Sequence, residues 1–476
     1  MNLLAIFALL VHSYIYNPND WLQLSALENV RNITADPFYV YLIYQDGIGL
    51  INKSSQKLER TVTQADRLPG GILLGAYDPE TGVIWLLTKN LLVGYNPTTR
   101  GTFSFPHSMA NATSLGIGPK FVYLATDQAA VRFSKQSYRF EPAPTMDPQT
   151  IWYGARSPYQ PRRYIFLTPY YYTDQNFRHY SMVGLFEDNN TLWVATNGYG
   201  VFAYDLFTKI PRHYRFGPAA AQVLKIYSDP SGLWFTNPDY ISFYNPKADT
   251  WSYFDLAVKP LSSLRITFVK PPVYDLIRRE NLSSVVWQNG AYWLGTNDGL
   301  YSFEPKTEAL QPELNTPVGI RKILAAGDSV FLATDRGLLL FSEKTKTYAE
   351  IKDPPGKLGF GVFDIAETHG KRFFTCSGGL VSLDTLGNWE FRQIPGMDLL
   401  SHPGPIAGAG TVLFVAVGPG LIIYDETRND YQRLDPNPDF SFGTINALLA
   451  DKDFLWLGTN TGIARFSYHS LFPGRP

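Results

Sequence analysis

The 476-residue sequence has a single cysteine, Cys376. With no partner in the chain, it excludes a disulfide-stapled fold. Charge is also scarce. Charged residues make up 17%, and 41 basic against 42 acidic side chains leave a net charge of −1. A protein that neutralises a phosphate backbone needs clustered Lys and Arg, and no dense basic run occurs. Nucleic acid is therefore not an expected partner. No apolar run approaches the about 20 residues that cross a bilayer, so no membrane span is expected. Stretches with helical periodicity are missing, which excludes a coiled coil. Disorder is excluded by a 45% hydrophobic content at almost no net charge. The apolar run at residues 3–11 is too short to span but resembles the core of a secretory signal, with Val11 and Ser13 as small residues before a cleavage site. Residues 1–18 are therefore read as a signal-like segment, although a basic start is absent; a buried N-terminal strand is the alternative. If it is a signal, the protein is periplasmic or extracellular.

What the chain does contain is punctuation and aromatics: 39 Gly, 34 Pro, 31 Phe, 30 Tyr and 10 Trp. They are arranged in a repeat. Trp456 heads the phrase WLGTNTGIARF, in which a Thr follows the aromatic by three residues and a Gly by six. Related phrases start at Tyr41, Trp85, Tyr123, Trp193, Trp234, Trp293, Phe331, Phe373 and Phe414. Spacings between the aromatics are 44, 38, 70, 41, 59, 38, 42, 41 and 42 residues. Gly stands in the sixth position at Gly47, Gly299, Gly337, Gly379, Gly420 and Gly462. Each unit parses into four short strands separated by turns such as Pro230-Ser-Gly232 and Asp451-Lys-Asp453. A four-stranded repeat of about 40 to 45 residues is a β-propeller blade. The expected fold is all-β, a propeller of about ten blades over residues 19–476. The repeat aromatics are expected to form the core between blades. The Thr hydroxyl should tie the loop, and the Gly should supply a positive φ.

A propeller must hide the edge between its first and last blades. The last unit lacks a fourth strand, whereas Asn19-Asp-Trp-Leu-Gln-Leu24 resembles outer strands such as Asn429-Asp-Tyr-Gln-Arg-Leu434. The N-terminal strand is thus expected to complete the last blade. One large ring is the preferred arrangement; two rings, the first discontinuous, are the alternative. Phe166-Leu-Thr-Pro-Tyr170 reads as the remnant of an eleventh, shortened blade.

The phrases EDNNTLWVATNGYGVFAYD, SDPSGLWFTNPDYISFYNP and ADKDFLWLGTNTGIARF resemble the two-component-regulator propeller repeat. The resemblance covers residues 19 to 468. It implies a sensor-type propeller, exported and with a recognition face, of a family that often recognises carbohydrate fragments. This chain carries no kinase or stalk sequence, so signalling by the chain itself is not implied.

Signals for chemistry are weak. The seven His residues form no ligand pair, no metal site is expected, and neither a nucleophile elbow nor a phosphate loop occurs. No cofactor and no catalytic residue are assigned. Ser228-Asp-Pro-Ser-Gly-Leu-Trp234 superficially resembles a sialidase aspartate box but reads as a hairpin turn. Cys376 reads as a buried, inert thiol. The informative departures are two insertions, at about 141–180 and 255–281. The first interleaves aromatics with Arg, among them Tyr159, Arg162, Arg163, Tyr170, Tyr171 and Tyr172. Both emerge on the face that carries the loops between second and third strands, where Asn197, Asn297, Asp298, Asp335, Arg336 and Asn460 lie. Tyr and Arg side chains there suit a glycan or a protein partner. The bland reading is that the insertion aromatics merely pack it onto the ring. The expected function is a non-enzymatic binding module using that face. Alternatives are a polysaccharide lyase or hydrolase with acidic residues converging at the axis, and a structural subunit of a cell-envelope assembly.

Overall fold

The computed structural model describes residues 12–13 and 20–468, except 64–65, 110, 160, 165, 168–170, 174–177, 257–272, 274–275, 277–281, 316–317, 355, 394–403, 429 and 436–442. Those residues form ten sheets of four or five strands, antiparallel apart from one edge pair. The sheets are propeller blades. Blade 1 spans 30–63, blade 2 74–106, blade 3 114–142, blade 4 179–214, blade 5 225–255, blade 6 284–315, blade 7 320–351, blade 8 365–393 and blade 9 406–434. Blade 10 combines 445–466 with 21–25. In each blade the first strand lies nearest an axis.

Two axes exist, and here the expectation of one large ring gives way. The first strand of blade 1, Val30–Ala35, packs beside that of blade 2 and also beside that of blade 4, His179–Asp188. Val30, Ile33 and Leu42 of blade 1 share a core with Trp193 and Val201 of blade 4. Blades 1–4 therefore close into a small ring. Blades 5–10 close into a larger one, because Ile445–Ala450 of blade 10 packs beside Lys225–Asp229 of blade 5. Ile226 and Phe235 meet Ala447, Trp456 and Ile463 across that joint. The discontinuous ring is the second, not the first. Its outermost strand, Trp21–Ser25, comes from the N-terminal side of the small ring and pairs antiparallel with Gly462–Phe466. Trp21 stacks on Phe466 with centroids 4.1 Å apart. His12–Ser13, at the end of the signal-like segment, pairs parallel with Gln432 and Arg433 at the edge of blade 9.

The repeat residues have the roles their chemistry suggests. All ten repeat aromatics are buried, from Tyr41 to Trp456. A turn aspartate holds several of the indoles. Asp229 Oδ2 accepts the Trp234 N–H at 3.0 Å, and Asp451 Oδ2 accepts that of Trp456 at 2.8 Å. The sequence that superficially resembles an aspartate box is thus a structural turn. Thr296, Thr334 and Thr459 donate to the carbonyls of Gly299, Gly337 and Gly462 at 3.1, 2.7 and 3.0 Å. Those three glycines do have positive φ, but Gly47, Gly379 and Gly420 do not. At Gly379 the constraint is room: a Cβ would lie 2.1 Å from the Arg392 carbonyl on the outer strand. Cys376 is buried 3.6 Å from the Gly379 carbonyl, and burial pushes its thiol up to about 11.

Polar residues on first strands join one blade to the next. Asn32 exchanges two hydrogen bonds with the Gly75 backbone, at 2.7 and 2.9 Å. Ser284 accepts Ile323 N–H at 3.0 Å, and Asn446 donates to Val223 O at 3.1 Å across the closing joint. Buried backbone groups between blades would otherwise be orphaned. The rings also meet each other. Arg178 pairs with Asp255 and donates to Tyr240 OH, and Tyr253 OH donates to Gly217 O at 3.0 Å.

Gly462→Ala tests the closure. Its φ is +140°, and a Cβ would sit 2.2 Å from Leu24 O on the closing strand. The expected cost is about 2 kcal/mol of stability. Hydrogen exchange should accelerate in blades 5 and 10 and stay unchanged in blades 1–4. Acceleration spread evenly over all ten would contradict the two-ring packing. Asp451→Ala leaves an indole N–H and two turn N–H groups without acceptors. Denaturant unfolding should show a loss of about 2 kcal/mol.

Candidate ligand-binding hollow at the axis of the large ring

The two rings differ at their centres. In the small ring the first insertion fills the axis. Its strand Ile151–Gly154 pairs antiparallel with Ser114–Ile117 and also touches blades 2 and 4. Tyr153 OH meets Thr34 Oγ1 at 3.1 Å, and burial raises its phenol pKa. Tyr159 covers the remaining hollow of about 180 Å³ and lies edge-on to Phe186 at 5.9 Å.

In the large ring a hollow of about 380 Å³ stays open. It is lined where first strands begin and where second-to-third-strand loops emerge, by Lys225, Ser283, Asn297, Arg321, Asp335 and Phe363 among others. Lys225 opens the first strand of blade 5, and Arg321 and Lys322 follow Ile320 at the start of that of blade 7. Asp364 precedes the first strand of blade 8, Ile365–Glu367. Arg321 lies over the Phe363 ring at 4.6 Å. Lys322 Nζ is 3.8 Å from Asp364 Oδ1. The Asp364 carboxylate also accepts the N–H groups of Ile365 and Ile406 at 2.8 and 2.9 Å, which joins blade 8 to blade 9. Desolvation lowers the Lys225 pKa; Asp364 opposes that shift, and Lys322 and Arg321 add to it. A larger hollow, about 480 Å³, lies in the seam between rings, walled by Trp21, Tyr244, Trp251, Trp456 and Arg465 among others. Several of its walls are core aromatics already packed on neighbours.

The expected site residues are divided by this arrangement. Asn297 and Asp335 line the open hollow. Asp298 and Arg336 are exposed in the same loops, their backbone N–H groups held by Thr296 and Thr334 at 3.1 and 3.3 Å. Asn460 accepts from Asn446 Nδ2 at 2.9 Å, beside the closing joint. The others belong to the small ring. Asn197 donates its N–H to Ser181 O at 2.9 Å. Tyr172 packs on Tyr199 and Phe202, with centroids 5.0 and 4.4 Å away, as the bland reading had it. Tyr171 is 40% exposed and lies 4.2 Å from the His179 ring. Arg163 is exposed at the end of the turn Pro161–Arg163. The Arg162 side chain and Tyr170 lie outside the described residues, as does most of the second insertion, and no strand includes Phe166 or Leu167. Val273 and Leu276 of that insertion are buried between blades 5 and 6.

Lys225, Arg321, Lys322 and Asp364 were missed by sequence reasoning. The signal was there: innermost strands are mostly apolar or small, and these charges stand at or beside the start of one. An axis of converging acids is not what the described residues form; cations outnumber carboxylates. No cluster of metal-ligating side chains occurs among them. No helix of the described residues is long and apolar enough to cross a membrane.

No family model and no curated protein matches the chain. Among solved structures it is similar to the extracellular domain of the putative one-component system BT4673 of B. thetaiotaomicron. Identity is 15% over 92% of this chain and 75% of that one, with a TM-score of 0.39. It is also similar to PorZ, a surface component of the type-IX secretion system of Porphyromonas gingivalis. Identity is 11% over 94% and 87% of the two chains, with a TM-score of 0.48. A streptogramin B lyase matches at 12% identity over 59% of this chain and 90% of that one, with a TM-score of 0.38.

Lys225→Met tests the electrostatics of the hollow. Burial costs the ammonium free energy while it is charged. The folded pKa lies below the unfolded one, so the unfolded chain holds its proton more tightly and wild-type stability rises with pH up to about 10.5. The variant should melt higher than wild type at neutral pH, and the gap should close toward pH 10.5. A lower melting temperature at neutral pH would show that the ammonium is stabilised in place.

Proposed function

We propose that the protein is a non-enzymatic, exported binding module that takes a glycan or protein partner through the axial face of the large ring. The observation that carries this reading is the contrast between the two axes. One is plugged by the chain's own strand, and the other is left as a hollow lined by polar side chains that form few bonds of their own. Concave sites with a few convergent polar groups are where ligands bind. Asn297 and Asp335 then contact the ligand, with Asp298, Arg336 and Asn460 at the rim. Tyr159, Arg162, Arg163, Tyr170, Tyr171, Tyr172 and Asn197 belong to the small ring, whose role is to brace the large one. Residues 1–18 would direct export.

A second reading, as a subunit of a cell-envelope assembly, is favoured by a different surface. Phe38, Tyr138, Phe207 and Ile210 are 71, 56, 86 and 65% exposed. All four sit on turns of the small ring that point away from the insertion face. Exposed large apolar side chains on one face suit protein contact.

A glycan array and a pull-down from envelope extract, with wild type, Asn297→Ala/Asp335→Ala and Phe207→Ser/Ile210→Ser, separate the readings. The first pair should weaken capture at least tenfold and the second leave it unchanged. Capture that survives the first pair and is lost with the second would replace the axial site by the assembly surface.

A further inference from the structure

The hollow of the large ring holds more positive charge than the fold uses. Among the described residues, the side chains of Lys225 and Arg321 form no hydrogen bond or ion pair; Arg321 has its contact with the Phe363 ring. Lys322 shares Asp364, whose two oxygens are already taken by backbone N–H groups of blades 8 and 9. Asn297, across the hollow, also has an uncommitted side-chain amide. Lys225 is half-buried and Arg321 is exposed at the mouth of the same hollow. A cation partly withdrawn from water with no carboxylate in bonding distance lowers stability, and natural folds keep such groups where a ligand pairs with them. Neither Lys225 nor Arg321 braces a blade, since the joints between blades are made by Asn32, Ser284, Asp364 and Asn446.

The charge also sets a limit on the ligand. Among the described residues, Lys225, Arg321 and Asp335 line the hollow and the Lys322–Asp364 pair stands beside it, which leaves a surplus of one positive charge. A single negative charge neutralises that surplus, whereas a dianion would leave the site negative beside two carboxylates. We propose that the axial hollow of the large ring binds the carboxylate of a singly charged ligand between Lys225 and Arg321, with Asn297 available to a neighbouring hydroxyl or amide. The inference rests on the axial-face reading and names the chemistry that face selects.

The test uses the full chain at neutral pH and fixed ionic strength. Thermal shift and calorimetric titration are run with D-glucuronate and N-acetylglycine as monocarboxylate probes, D-glucose as the neutral control, and inorganic phosphate and sulfate as the other anions. A saturable rise in melting temperature is expected with at least one monocarboxylate, none with glucose, and a smaller one with phosphate and sulfate. Lys225→Met and Arg321→Gln should each weaken that binding at least tenfold. Circular dichroism confirms that both variants are folded. No saturable response to either carboxylate, an equal response to phosphate, or binding undiminished in both variants would each overturn the proposal. If Asn297→Ala/Asp335→Ala loses capture of its partner while no carboxylate binds, the anion inference falls and the axial face stands. If carboxylates bind but partner capture ignores that variant pair, the axial face falls as the partner site.

Discussion

Everything in the large ring depends on five residues pairing across almost the whole length of the chain. Trp21–Ser25 lies on Gly462–Phe466, and between them in sequence stand the small ring and the other blades. An unpaired strand edge on the last blade would expose backbone donors and acceptors and leave one side of that blade uncovered. The pairing removes the edge and places Leu24 in the core that joins blade 10 to blade 5. It also fixes the small ring in place, because the chain leaves the large ring at Ser25 and returns to it at blade 5. The linkage is topological as much as energetic: neither ring can drift far while the strand is seated.

The small ring shows how an irregular insertion becomes structural. Four blades leave an axial gap that their own side chains do not fill, and the strand Ile151–Gly154 lies in it as an extra edge of blade 3. Its Tyr153 satisfies Thr34 of blade 1, so the plug ties opposite sides of the ring together. The aromatic density that singles out residues 141–180 is thus largely explained by filling space and by bolting the rings, as at Arg178 with Tyr240 and Asp255.

The large ring needs no such plug. Its joints are closed by apolar packing and by single polar residues on first strands, each spent on a neighbouring backbone group. Against that economy, Lys225 and Arg321 stand out because, among the described residues, neither side chain is used in a joint between blades. In the proposed reading, binding at the axis depends on which groups the joints leave over.

The sequence by itself determined the blade. The phrase around Trp456 contains the aromatic that fills the core, the Thr that ties the loop and the Gly that admits the outer strand, all within seven residues. Local spacing carries that information because a blade is made of hairpins. The partner of the last blade was also legible, since Asn19-Asp-Trp-Leu-Gln-Leu24 has the pattern of the other outer strands. How many blades share an axis was not. That number depends on the angle between neighbouring sheets and on what fills the centre, and no residue of the repeat encodes either alone. The site followed the same division. Asn297 and Asp335, which line the hollow, were legible because their loops recur at fixed positions. Lys225 and Arg321 lie 96 positions apart in the numbering and line one hollow only because blades 5 and 7 stand around the same axis. Their meeting is decided by ring closure, a property of the assembled blades rather than of any one of them.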